Sequence, residues 1–128
     1  MTTSRSPLSA VVFDWAGTLI DFGSLAPMGA FVELFAGHGV EISVAEARVP
    51  MGLPKWEHIR ALGHQPRVAA AWALRHGREF DDRDVDALYA EFTPMNARAV
   101  RQHAELVPGV LQTLQALRAR GLRIGTTT

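Results

Sequence analysis

The chain has 128 residues, 48% of them hydrophobic, enough for one moderate core plus a small insertion and too few for a second full-size domain. Thirteen basic and thirteen acidic residues balance and there is no cysteine, so nucleic acid, anionic membranes, disulfides and thiolate metal sites drop out as expectations. The polar start and the lack of any apolar run near the ~20 residues of a membrane span lead us to expect neither signal peptide nor membrane segment, and a cytoplasmic protein.

Residues 1–8 are polar and unpatterned and read as a loose leader. The run from Ser9 to Asp14 is the first predicted strand, a buried one, with apolar residues leading to a carboxylate and a Gly17-Thr18 turn just beyond. A connector follows at Asp21–Ser24, and Pro27 suits the first turn of a helix carrying Phe31, Leu34 and Phe35 and ending at Gly37 or Gly39. Ser43 and Glu46 have capping-box spacing and predict a brief helix to about Val49. Pro54 opens a helix over Lys55–Leu62, and Pro66 opens another reaching His76. Asp81 or Asp82 caps a further helix with Val85, Leu88, Tyr89 and Phe92 on it, and Pro94 is expected to break that pattern and restart it from Met95 to about His103. After Pro108-Gly109 comes a helix over Val110–Arg120, then a strand over Leu122–Thr128.

Strand, helical insert, helix and strand describe a parallel β-crossover with an insertion in its first connection. The fold class expected is therefore α/β, a Rossmann-like parallel-sheet core with an inserted all-helical cap: residues 1–22 and 105–128 form the core part and 23–104 the cap. Two parallel strands leave both edges unpaired, whereas parallel sheets are usually covered on both faces, so the chain is expected to be the front part of a longer protein.

The carboxyl edge of such a sheet is where ligands of open α/β folds sit, which makes Asp14 a nucleophile, a metal ligand or both. Asp14-Trp15-Ala16-Gly17-Thr18, the helical insert and the strand ending in threonines resemble the haloacid dehalogenase-like superfamily, whose first motif is Asp-x-Asp-Gly-Thr and whose second is a Ser or Thr closing a later strand. Alanine at position 16, together with Met51-Gly52-Leu53-Pro54-Lys55, resembles the branch of that superfamily that cleaves carbon–phosphorus bonds. The resemblance implies hydrolysis of 2-phosphonoacetaldehyde to acetaldehyde and phosphate with Mg²⁺. Asp14 is then nucleophile and metal ligand, the Ala16 carbonyl a second ligand, Lys55 the Schiff-base former and Thr128 the phosphate-binding hydroxyl. It also implies a homodimer through the cap helices when full length. The family's basic residue and further carboxylates are not found up to Thr128, so the 128-residue chain alone is expected to be inactive or nearly so.

The residues support that chemistry on their own terms. Breaking a carbon–phosphorus bond leaves a carbanion unless an electron sink stands beside it, and a lysine imine is such a sink. An enamine leaving group needs no acid to protonate it at once, so Ala16 in place of a second carboxylate fits the reaction; a phosphatase that has lost its acid is the other reading. Lys55 lies in a helix first turn, where the dipole disfavours an ammonium, and Met51, Leu53 and Trp56 are expected to desolvate it. His58 shares its helix face and is either a proton relay or a surface or interface histidine. Met51-Gly52 is either a close backbone approach to substrate or a plain turn. Thr18, Thr127 and Thr128 are candidate phosphate contacts, and Ser24 is a weaker one. His38, His64, His76 and His103 lack metal-ligand spacing and read as surface groups, while Trp72, Tyr89 and Phe92 read as cap core or dimer face. Two further functions stay open: another cap-bearing phosphatase in which Lys55 only holds substrate charge, and a non-catalytic fragment.

Overall fold

The computed structural model describes residues 7–127. Its chain divides into two compact units, residues 1–24 with 103–128, and residues 25–102. The boundaries expected at 22/23 and 104/105 thus move by two residues, because Gly23 and Ser24 stay with the first unit and His103 and Ala104 join it.

In the first unit, β1 (Ala10–Asp14) and β2 (Arg123–Thr127) form a two-stranded parallel sheet, and α6 (Val110–Ala119) precedes β2. The register pairs Val11 with Ile124 and Asp14 with Thr127, so both strands end at the same edge. β1 was expected to be buried, and it is not: Val11 and Phe13 are half-buried while Val12 is 65% exposed. Alternate side chains of a strand point to opposite faces, and no element among the described residues covers the Val12 side. Leu19 and Val110 are the apolar side chains this unit buries among the described residues, and neither is wholly removed from solvent.

Beyond β1 the chain folds back sharply. The backbone N–H groups of Thr18, Leu19 and Ile20 all donate to the Trp15 carbonyl, and Gly17 donates to the Ile20 carbonyl. Gly17 has φ 77°, and the Ser24 hydroxyl occupies the space where a side chain at 17 would stand, so both conformation and room require glycine. Asp21 and Ser24 adopt φ 56° and 52°, uncommon for residues with side chains, in the connector leading out of this unit. The two crossings between units are tied together inside the first one, by Asp21 N–H to the Glu105 carbonyl and Val107 N–H to the Leu19 carbonyl.

The second unit is helical and holds the main hydrophobic core. Helix α1 (Leu25–Gly37) buries Met28, Phe31, Leu34 and Phe35 and packs chiefly against α5 (Asp82–Gln102), which supplies Val85, Leu88 and Phe92. Between them lie α2 (Val44–Arg48), α3 (Lys55–Gly63) and α4 (Pro66–His76). The capping box of α2 is complete: Ser43 Oγ accepts from Glu46 N–H, and Glu46 Oε2 accepts from Ser43 N–H. Arg67 donates to both Glu46 oxygens, and these bonds hold the Glu46 carboxyl down at about 2. Helix α5 is capped by Asp81, whose Oδ1 accepts from the N–H groups of Arg83 and Asp84, while Asp84 returns a bond to Asp81 N–H and is held by Arg78.

Pro94 does not break α5. The helix runs continuously through it, contrary to the restart expected at Met95. An interior proline costs about 3 kcal/mol through its lost N–H and its clash with the preceding turn. Here Phe92 on one side and Met95 and Ala99 on the other pack on the same core, so both halves are anchored in one line. Among the described residues no helix is long and apolar enough to cross a membrane.

Candidate active site

The candidate residues fall into two sets, one in each unit. In the first unit, Asp14 ends β1 with its side chain exposed, and its Oδ1 accepts from Trp15 N–H at 2.8 Å, which fixes the carboxylate at the strand terminus. The register puts Thr127 beside it at the same sheet edge. Thr18 does not close the strand; it lies in the turn beyond, lining with Phe13, Leu19 and Val110 a cleft of about 220 Å³. Thr128, the expected motif-two hydroxyl, lies outside the described residues.

Could these atoms hold Mg²⁺? The turn's backbone hydrogen bonds run to the carbonyls of Trp15 and Ile20 and not to that of Ala16. An exposed carboxylate and a spared carbonyl are hard oxygen donors of the kind Mg²⁺ takes, and that ion commonly fills its remaining positions with water and phosphate oxygens. The donor set fits. Among the described residues no cluster of three or more His, Asp or Glu side chains accompanies it.

In the second unit, Pro54 is the N-cap of α3 and Lys55 its first residue. The lysine is half-buried, with Nζ 5.8 Å above the centre of the Phe31 ring, and burial pushes its amine below the usual lysine range. Phe31 stands where Met51 and Leu53 were expected: those two are 50% and 45% exposed, and Trp56 is drawn off by its Nε1 bond to Asp86. Met51-Gly52 lies in the turn before α3, with Gly52 at φ 102°, a conformation that excludes other residues.

His58 is neither a surface nor an interface group. It is fully buried one turn from Lys55, stacked on Phe31 at 4.1 Å between ring centres. Its Nε2 lies 2.7 Å from the Ala47 carbonyl, which can only accept, so the proton sits on Nε2. That leaves Nδ1 a bare lone pair, with no hydrogen-bond partner among the described residues. Burial, opposed by the Ala47 bond and aided by the Lys55 charge, lowers its basicity. Phe31 stacks in turn on Phe92, so amine, phenyl and imidazole stand on one core pillar.

One signal for this site stands in the composition itself. Lys55 is the single lysine among thirteen basic residues, the other twelve being arginine. Phe31, far from Lys55 along the chain, is the ring under it, a neighbour that no local pattern reveals. Of the other aromatics, Trp72 and Phe92 are core and Tyr89 is 41% exposed. His64 and His76 are exposed as expected, whereas His38 is half-buried and bonds Glu91.

The family profile of the haloacid dehalogenase-like hydrolases matches residues 8–128, a span that holds the parallel strand ending in a carboxylate, the tight glycine turn and the helical insertion. The chain belongs to that family. Within it, the chain is 52% identical over 121 residues to the phosphonoacetaldehyde hydrolase of Paraburkholderia xenovorans (strain LB400), covering 94% of this chain and 45% of that protein. It is 50% identical over 123 residues to the phosphonoacetaldehyde hydrolase of Vibrio cholerae serotype O1, again covering 45% of that protein. Among solved structures, a phosphonoacetaldehyde hydrolase-like protein from Oleispira antarctica superposes with a TM-score of 0.91 at 44% identity, over 97% of this chain and 45% of that one. The chain thus spans about half the length of the relatives it matches.

Proposed function

We propose that the chain carries the nucleophile strand and the lysine-bearing cap of a phosphonoacetaldehyde hydrolase, which converts 2-phosphonoacetaldehyde and water to acetaldehyde and phosphate. The observation that carries this reading is Lys55: the only lysine present, in a helix first turn, half-buried over Phe31 and shifted toward its neutral form. The near-50% identity to relatives bearing that name supports it.

In this reading the free amine of Lys55 adds to the aldehyde carbon and water departs, leaving a protonated imine. A carboxylate oxygen of Asp14 attacks phosphorus, and the electron pair of the carbon–phosphorus bond flows into the imine to give an enamine. The enamine takes a proton on carbon, hydrolysis returns the amine and releases acetaldehyde, and water cleaves the aspartyl-phosphate. Ala16 needs no carboxyl group, because the carbon leaving group departs with its charge already neutralised. Thr18, Thr127 and Thr128 offer hydroxyls to the phosphoryl oxygens, and Met51-Gly52 lets backbone approach the substrate. Asp14 and the Ala16 carbonyl would hold Mg²⁺, which supplies positive charge to the phosphoryl oxygens when bound. A cytoplasmic location and a full-length homodimer through the helical unit belong to the same proposal; Val49 and Leu74, 74% and 89% exposed on that unit, offer apolar surface for it.

The test is reductive trapping. Phosphonoacetaldehyde and borohydride should leave a stable adduct on the peptide containing Lys55, separable by mass mapping from modification of the amino terminus. Adduct at the amino terminus alone, with Lys55 untouched, would remove the Schiff-base mechanism.

A further inference from the structure

Beside α6 the first unit carries a groove of about 730 Å³ that the proposed chemistry does not use. Leu111, Leu114 and Arg118 line it from the helix, and Leu122, Arg123 and Ile124 line it from the segment entering β2. All six lie within residues 103–128, so the groove belongs to this unit alone. Spacings of three and four put Leu111, Leu114 and Arg118 on one stripe of α6, about 10 Å long at 1.5 Å per residue, the length of two turns of a partner helix. The lining is apolar and open: Leu111 is 55% exposed, and Leu114, Leu122 and Ile124 are half-buried. β2 pairs with β1 on one side only, so no strand among the described residues closes the groove from the other.

Charge decides what fits there. Arg118 is in the last turn of α6, Arg123 is the first residue of β2, and Arg120 lies between them in the chain. None of the three enters an ion pair among the described residues. The carboxylates of the unit stand elsewhere. Asp14 is level with Thr127, roughly 13 Å along the sheet from Arg123 at 3.3 Å per residue. Asp21 and Glu105 are joined through their backbones just ahead of Val107, before α6 begins. The negative end of a helix dipole accounts for Arg118, but Arg123 lies in a strand, where no such dipole acts. An acidic partner finds complementary charge at the arginine end and apolar surface along the rest, whereas a second copy laid groove to groove would set arginine against arginine.

We propose that this groove docks an acidic amphipathic helix of another polypeptide, with its apolar stripe on Leu111, Leu114, Leu122 and Ile124 and its carboxylates on Arg118 and Arg123. Helix-in-groove recognition works through apolar anchors at i, i+3, i+4 and i+7, the periodicity that the α6 stripe itself presents. The leucines and Ile124 supply affinity. The two arginines reject basic partners and fix the direction in which the helix lies. The site is independent of Lys55 and of the phosphonate reading.

The test titrates the 128-residue chain into a fluorescein-labelled, alanine-rich peptide of about 15 residues, a length that sustains helix in water. The peptide carries leucines at helical spacing flanked by glutamates, and its twin carries lysine for every glutamate. Fluorescence anisotropy should show the glutamate peptide bound ~10-fold or more tightly than the twin, a preference that shrinks as salt rises. Arg118→Glu combined with Arg123→Glu should reverse the preference. Leu111→Asp, at an exposed position and with the fold checked by circular dichroism, should remove binding of both peptides. Failure of either peptide to bind, equal affinity for the two, a preference that survives the double substitution, or binding unmoved by Leu111→Asp overturns the proposal. So does a dimer in sedimentation equilibrium that Leu111→Asp dissolves, because a second copy would then occupy the groove.

Discussion

Substituting Gly63 by alanine sets two effects against each other. Gly63 is buried at the end of α3 in ordinary helical conformation, so alanine would be the better residue there by propensity, by up to ~1 kcal/mol. But a methyl group at that position would fall inside the Phe80 ring, overlapping its Cδ1, Cε1 and Cζ atoms. Phe80 has no easy retreat: it is itself buried, edge-on to Trp72 at 4.9 Å between ring centres and close to Phe35 and His64. Overpacking of this kind costs about 1–3 kcal/mol, and full overlap with a ring belongs at the upper end. Net destabilisation should therefore be about 2 kcal/mol, lowering Tm by roughly 8–16 °C for a unit of this size. Thermal unfolding followed at 222 nm measures it, and the same change in a Phe80→Leu background should cost less. A Gly63→Ala protein melting at or above the wild-type temperature would show that the ring packing described here is wrong.

The His58 ring should hold its neutral-form NMR shifts below pH 6.5, since burial lowers its basicity; the unfolded chain then binds the extra proton, and stability falls as pH drops from 6.5 toward the folded value. A ring midpoint at or above 6.5 contradicts this. Glu46, lowered from 4.5 to about 2, contributes stability that is complete above 4.5 and lost as pH falls toward 2. Glu46→Ala should cost about 1 kcal/mol at pH 7 in urea unfolding, the pair with Arg67 being screened by solvent, with the difference from wild type shrinking in acid. In hydrogen exchange, amides of β1 and β2 should exchange faster than those of α1 and α5, because the helical unit holds the core; equal protection would contradict that division.

Local chemistry was legible in the sequence and packing was not. The box at Ser43 and Glu46, the start of α3 at Pro54-Lys55 and the strand ending at Asp14 depend on neighbours a few residues apart, and each stands where the residues put it. The break expected at Pro94 failed because a proline's local cost was outweighed by core contacts on both sides of it. His58 was ambiguous because its burial comes from Phe31 and Ala47, distant along the chain, and the wall under Lys55 was assigned to Met51 and Leu53 for the same reason: sequence neighbours were visible, spatial ones were not. Compositional counting would have singled out Lys55 without any fold at all.

In the proposed mechanism, burial over Phe31 readies the Lys55 amine to attack a carbonyl. Because there is one lysine, ¹³C-dimethylation gives a single side-chain amine resonance beside that of the amino terminus, and its pH titration reads the group directly. The midpoint in the folded chain should lie below that of the same labelled amine in denaturant, because burial lowers the Lys55 amine. A folded-state midpoint equal to or above the denatured one would mean an ordinary solvated ammonium, and the imine chemistry built on it would fall.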